Sequence, residues 1–188
     1  METSWQKQSD LPSFSYICGH CGNQVASNKG MQSIDVFRNG YRGVLYICPH
    51  CAKPTSIIEG KQIPDVAPGN PVDNVPDDVS HLYDEARVCV SASAYTASVL
   101  ACRKLLMNIS VQQGANEGLR FIEYINYLAE NGYVPPNGRG WVDHIRKKGN
   151  EATHEIPQMT RDDAEELVLF SEMLLKFIYE FPARVPSA

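Results

Sequence analysis

The sequence has no stretch approaching the roughly 20 apolar residues that cross a bilayer, so a membrane-spanning helix is not expected. Its first ten residues, Met1 to Asp10, contain no apolar run of the kind that forms a signal peptide. A soluble, cytoplasmic protein is the expectation. Positive charge is not in excess: Lys and Arg number 17 against 22 Asp and Glu, for a net charge of -5. That balance excludes a broadly basic surface but leaves room for a local basic patch. There is no internal repeat and no low-complexity tract. Hydrophobic residues make up 43% and charged residues 21%, the composition of a folded chain rather than a disordered one.

The 188 residues suffice for one ordinary domain or for a small domain beside a medium one. Three zones differ in pattern. Residues 13–60 hold four of the six cysteines among alternating apolar residues. Residues 61–76 contain four prolines and a glycine, which predicts a semi-rigid linker without regular structure. Residues 77–188 read as a helical bundle. The fold class is therefore α+β, with a small β domain followed by an all-α one.

In the first zone, Phe14 and Tyr16 precede one cysteine pair, and Thr55 and Ile57 follow the other, as short strands would. Ile34 and Val36 face Val44 and Tyr46 across Asn39-Gly40, which predicts a hairpin with a tight turn. Cys18-Gly-His-Cys21 and Cys48-Pro-His-Cys51 are two C-x-x-C turns separated by 26 residues. Each turn lets two thiolates converge on one ion, and a hairpin between them brings four together. Four soft ligands in a tetrahedron suit one structural Zn²⁺. Gly22 follows Cys21, where a turn calls for positive φ. These features resemble the zinc ribbons, whose two knuckles sit on a three-stranded sheet. The same dipeptides occur in thioredoxin-fold active sites, but the strand–helix context that such a site requires is missing here. His20 and His50, inside the knuckles, read as solvated side chains beside a shell that four cysteines complete. Lys29, Arg38, Arg42 and Lys53 place some positive charge around the hairpin, which reads as a solvated surface.

In the helical zone, Pro76 suits a first turn. Leu82, Ala86, Cys89 and Val90 recur at helical spacing. A second helix spans about 94–113 and stops at Gly114. A third carries Phe121, Ile122, Ile125 and Leu128 to Asn131-Gly132. A fourth begins near Trp141 and is limited by Pro157. The last opens on Thr160 with Asp163 as a capping-box pair and runs towards Pro182. Cys89 and Cys102 fall on apolar faces and read as small buried residues.

The segment 141–155 concentrates polar chemistry. Arg146, Asn150 and His154 are spaced i, i+4, i+8 and share a face on one continuous helix. Such a set can hold a phosphate, orient a ribose or water and move a proton. Lys147-Lys148-Gly149 is equally a helix C-terminus, with Asn150 capping the next helix. Both readings stay open on spacing alone.

Over residues 76–185 the chain resembles a prokaryotic helical family, the domain-of-unknown-function family 4145, often fused to restriction endonuclease subunits. The matching residues are Leu82-Tyr83-x-Glu85-Ala86, Ala94-x-x-Ala97 through Cys102-Arg103-x-Leu105-Leu106, Gly149-Asn150-x-Ala152-x-His154, and Tyr179-Glu180-x-Pro182-Ala183-Arg184. That family is similar to the HEPN superfamily of helical bundles, many of which are metal-independent endoribonucleases of defence systems. The resemblance implies a homodimer. It also implies a site made by an Arg, a following Asn, and a His a few residues further on. Asn150 and His154 fit, whereas Gly149 stands at the arginine position. Arg146 has seven residues between it and His154. Lys148 has five but lacks the planar fork that grips phosphate. The combined expectation is a non-catalytic interaction protein that binds nucleic acid, RNA included, or a defence-system protein. The alternative is a metal-independent endoribonuclease using His154, Asn150 and Arg146 or Lys148.

Overall fold

The computed structural model describes residues 5, 7–34, 40, 42–135, 140, 142, 145 and 158–185. The chain divides into two compact units, Met1–Ala67 and Pro68–Ala188. The first is built of β-strands and the second of helices, so the fold is α+β.

Among the described residues, five antiparallel strands form the first unit, each paired with the next in the order β1-β2-β3-β4-β5. They are β1 (Ser9–Ile17), β2 (Gln24–Gln32), β3 (Val44–Ile47), β4 (Pro54–Ile58) and β5 (Lys61–Ile63). The sheet thus has five strands, not the three of the expected ribbon. Tyr16 and Tyr46 bury their rings with Cys18 and Cys48, and Leu11, Val25, Val44 and Ile57 pack around them. Phe14 stacks on Tyr46 with ring centroids 5.3 Å apart. The register of β1 slips between Asp10 and Phe14, around Pro12, which has no N–H to offer a ladder.

The expected hairpin is present as the antiparallel pair β2 and β3, but its ladder stops short of Ile34. Pairing of β2 with β3 ends at Gln32↔Val44, and Tyr46 lies opposite Gly30. Ile34 is therefore outside the sheet and 86% exposed. Val36 and Asn39 lie outside the described residues. A two-residue turn joins β4 to β5 at Glu59-Gly60, where φ is 52° and 77° and Ile58 pairs with Lys61. Two successive positive φ values are the signature of the turn that best matches the twist of a hairpin.

That turn also corrects the linker. Residues 61–63 are a strand, because Pro64 lies just beyond the ladder and removes no hydrogen bond from it. Gln62 Nε2 donates to the Ile17 carbonyl at 2.8 Å, tying β5 to the end of β1.

The second unit contains α1 (Asp77–Ser91), α2 (Tyr95–Gln112), α3 (Phe121–Glu130) and α4 (Arg161–Leu175). A π-helical turn, Lys176–Glu180, leads into α5 (Phe181–Arg184). Helix α2 packs against α1, α3 and α4, and its Val99, Cys102, Leu105, Leu106 and Ile109 are fully buried. Val142 and Ile145 are helical and join the same core. Gly114, with φ of 104°, ends the turn after α2. Thr160 caps α4: its Oγ1 accepts from the Asp163 N–H at 3.2 Å, while the Asp163 carboxylate accepts from the Thr160 N–H at 2.9 Å. Cys102 is buried as expected, and Cys89 is half-buried.

Residues 68–76 belong to this unit rather than to a free tether. Arg87 donates to the carbonyls of Pro68 at 2.9 Å and Gly69 at 3.0 Å. The Tyr83 hydroxyl donates to the Asn70 carbonyl at 3.1 Å, and Asn70 Nδ2 donates to the buried Glu172 carboxylate at 3.1 Å. Glu172 also pairs with Lys176. Burial would raise its carboxyl, but the bonds from Lys176 and Asn70 hold it below the usual carboxylate range. A fragment that begins at residue 68 should therefore be more stable than one beginning at 77 by about 2–4 kcal/mol, since four bonds of roughly 1 kcal/mol each are lost. Urea unfolding of the two fragments, followed by circular dichroism at 222 nm, measures the difference; equal midpoints would show the segment to be a tether.

Candidate metal centre

Both C-x-x-C turns are built alike. In the first, the Gly22 N–H donates to the Cys18 carbonyl at 2.8 Å, and the Cys18 N–H to the Asn23 carbonyl at 2.9 Å. In the second, the Ala52 N–H donates to the Cys48 carbonyl at 2.9 Å, and the Cys48 N–H to the Lys53 carbonyl at 3.0 Å. The residue after each second cysteine is left-handed: Gly22 at φ 70° and Ala52 at φ 56°. Glycine meets this demand in the first turn, while alanine bears it in the second, with the Trp5 indole N–H donating to its carbonyl at 2.7 Å. The strands set the turns side by side, since β1 leads into one, β3 into the other, and β2 lies between them.

The four sulfurs of Cys18, Cys21, Cys48 and Cys51 lie within 4.8 Å of one another. Cys18 Sγ is 3.8 Å from Cys51 Sγ, and Cys21 Sγ is 3.9 Å from Cys48 Sγ. A disulfide needs about 2.05 Å, and all four cysteines are free. A tetrahedron with edges near 3.8 Å has its centre about 2.3 Å from each corner, a metal–thiolate bond length, and these two opposite edges match it. The four cysteines can therefore hold a metal ion. Such a shell is closed, with every corner taken by sulfur and no position left for a substrate.

The electrostatics of the cluster ask for a cation. Burial raises the Cys18 thiol, and burial together with the neighbouring sulfurs pushes Cys51 up to about 12. Cys21 is also raised by burial, but the backbone and side-chain N–H groups of Asn23 outweigh this and bring it to about 6. Neighbouring thiols in a desolvated cluster resist ionising together, and a divalent ion reverses that preference.

Three features of the site escaped the sequence. First, the chain just after β5 closes over the first knuckle: a Cβ on Gly19 would lie 2.3 Å from the Pro64 carbonyl oxygen. Second, Ala52 carries positive φ without being glycine. Third, His20 and His50, though exposed, are engaged. His20 Nε2 donates to the Pro54 carbonyl at 2.9 Å, and His50 Nδ1 accepts from Asn23 Nδ2 at 3.3 Å. Only sequence separation hid these contacts, which join residues 27 and 34 apart. The other predicted cluster, Arg146, Lys148, Asn150 and His154, lies outside the described residues.

Fold and site together define an α+β protein with a four-cysteine cluster able to hold a metal ion in a small antiparallel sheet, and a separate helical unit. Residues 84–187 match the family described as domain of unknown function (DUF4145), and the chain belongs to that family. No curated protein and no solved structure matches the sequence.

Two substitutions test the turn geometry in opposite directions. Ala52→Gly should raise stability by about 0.5–1 kcal/mol, by relieving a left-handed alanine. Gly19→Ala should lower it by roughly 1–3 kcal/mol, because backbone must move to admit the methyl group. Thermal unfolding of the metal-loaded protein reads both.

A pH series tests the thiols. Cys18 and Cys51 have raised pKa values, so both are protonated at neutral pH and metal must expel their protons. Metal affinity should then fall at least about 100-fold per pH unit on acidification, and more steeply below pH 6, where Cys21 also takes up a proton. Chelator competition at pH 5.5, 6.5 and 7.5 measures the slope; a slope of one proton or fewer would contradict this assignment.

Proposed function

We propose that the protein is a non-catalytic interaction protein: a zinc ribbon joined to a HEPN-like helical domain, acting through nucleic acid or a partner protein in a prokaryotic defence or restriction system. The closed four-cysteine cluster carries this reading, because a complete sulfur shell serves structure and not substrate. Zn²⁺ is the ion that four thiolates in a tetrahedron favour, without geometric preference or redox change. The ribbon's few buried residues cannot hold a fold alone, so the energy of metal binding becomes folding energy.

Charge divides the two units. The first has six basic residues against five acidic, and the second has eleven against seventeen. Phosphate backbones are repelled by the helical unit, so contact with nucleic acid falls to the ribbon. The helical unit suits a protein partner instead, and Leu169, Phe177 and Phe181 stand exposed along its last helices.

A second reading, metal-independent RNA cleavage in a homodimer, rests on the spacing of Asn150 and His154. In it His154 is the general acid or base, and Arg146 or Lys148 contacts phosphate.

Elemental analysis should return about one zinc per chain, and Cys48→Ser should lower that content. One iron in its place, or unchanged content in the variant, would overturn the zinc assignment. Mixed RNA should survive incubation with the protein in EDTA, and with the 68–188 fragment, which has no ribbon to lose. Cleavage that disappears in His154→Ala at unchanged melting temperature would establish the nuclease instead, since general acid–base groups contribute about 10²–10⁴-fold in rate.

A further inference from the structure

His20 and His50 occupy the same place in the two knuckles, two residues after Cys18 and Cys48. Both are exposed, and four sulfurs leave neither a ligand position. Yet each side chain crosses to the opposite half of the site. From the first knuckle, His20 Nε2 donates to the Pro54 carbonyl, where β4 leaves the second knuckle, at 2.9 Å. From the second knuckle, His50 Nδ1 accepts from Asn23 Nδ2, just after the first, at 3.3 Å. Asn23 Nδ2 also donates to the Cys21 carbonyl at 3.2 Å, so the partner of His50 is itself anchored on the first turn.

We infer that His20 and His50 are positioning residues, a reciprocal pair of latches that hold the two cysteine knuckles together around the metal and slow its release. The inference rests on the reading of the four cysteines as a metal site. A metal leaves a four-thiolate shell stepwise, and each step needs one knuckle to swing away from the other. The two latches oppose that motion from both sides, because each joins residues that belong to different knuckles. They act through hydrogen-bond geometry alone: His20 must present N–H at Nε2, and His50 must present a lone pair at Nδ1. Partners beyond the ligand shell commonly change metal affinity by about 10–100-fold. The exposure of both rings makes them replaceable without disturbing the buried core.

The test uses the full chain. Zinc-loaded wild type and variants are challenged with excess 4-(2-pyridylazo)resorcinol, and release is followed by absorbance. His20→Ala and His50→Ala should each release zinc about 10–100-fold faster. His20→Gln restores a donor near the Nε2 position, and His50→Asn restores an acceptor near Nδ1; both should return release towards the wild-type rate. Cobalt-loaded protein is measured in parallel. Its thiolate charge-transfer bands should be those of four sulfurs in the wild type and unchanged in the alanine variants. Release within twofold of wild type in both alanine variants, or no recovery in Gln and Asn, would overturn the latch while leaving the metal site intact. Altered cobalt bands in an alanine variant would make the histidine a ligand and overturn it too. Absence of four-sulfur bands in the wild type itself would sink both the latch and the metal reading beneath it.

Discussion

The first unit depends on the convergence of four thiol groups from two distant turns. Everything around them serves that approach. Strands β1 and β3 deliver the turns, β2 spaces them, and Pro64 and Asp65, just after β5, cover the first against the backbone of Gly19. The buried core beside them is little more than Tyr16, Tyr46 and two of the cysteines themselves. Burying so few side chains offsets little of the conformational entropy of some sixty ordered residues. The cluster also opposes its own ionisation. The four cysteines can hold a cation, and in the proposed reading that ion removes the opposition, links four points of the chain and becomes the unit's main source of order.

The helical unit is stabilised differently. Its core is contiguous, with α2 at the centre and fully buried Leu, Ile and Val side chains from every described helix apart from the short α5. Besides the capping Asp163, two carboxylates, Glu172 and Glu180, are nonetheless buried in it. Lys176 and Asn70 engage the first; Arg184, at 2.5 Å, and the Asp73 N–H engage the second. Such groups are costly alone and tolerable only when paired. Here they also fix where the incoming chain lies, since Asn70 and Asp73 precede α1. The polar contacts thus select one path for the segment leading into the bundle.

Function follows the same division. In the proposed reading a closed sulfur shell contributes order and no chemistry, so recognition by the first unit comes from the surface that the shell holds in place. The second unit carries the match to the DUF4145 family, over residues 84–187. Its acidic balance and exposed apolar side chains are what the proposed reading assigns to a protein partner rather than to phosphate backbones. The proposed interaction protein joins these properties without requiring a catalytic centre.

Several features were legible in the sequence because their causes are local. A C-x-x-C turn brings two thiols together by its own geometry, so Cys18, Cys21, Cys48 and Cys51 were evident as one site. A helix declares its buried face every three or four residues, and Thr160 with Asp163 announces its own cap. What tertiary structure alone decided has causes far along the chain. Strand β2 is mostly polar, and its buried Ser27 is accommodated by donating to the Ile47 carbonyl at 2.7 Å. Its two flanking strands make it a strand; periodicity does not. Strand β5 hides in a proline-rich stretch because the prolines fall outside its three-residue ladder. The bonds of His20 and His50 depend on two knuckles meeting in space. Hydrophobic period and turn chemistry are written in neighbouring residues, whereas pairing partners and cross-site hydrogen bonds exist only once distant segments have met.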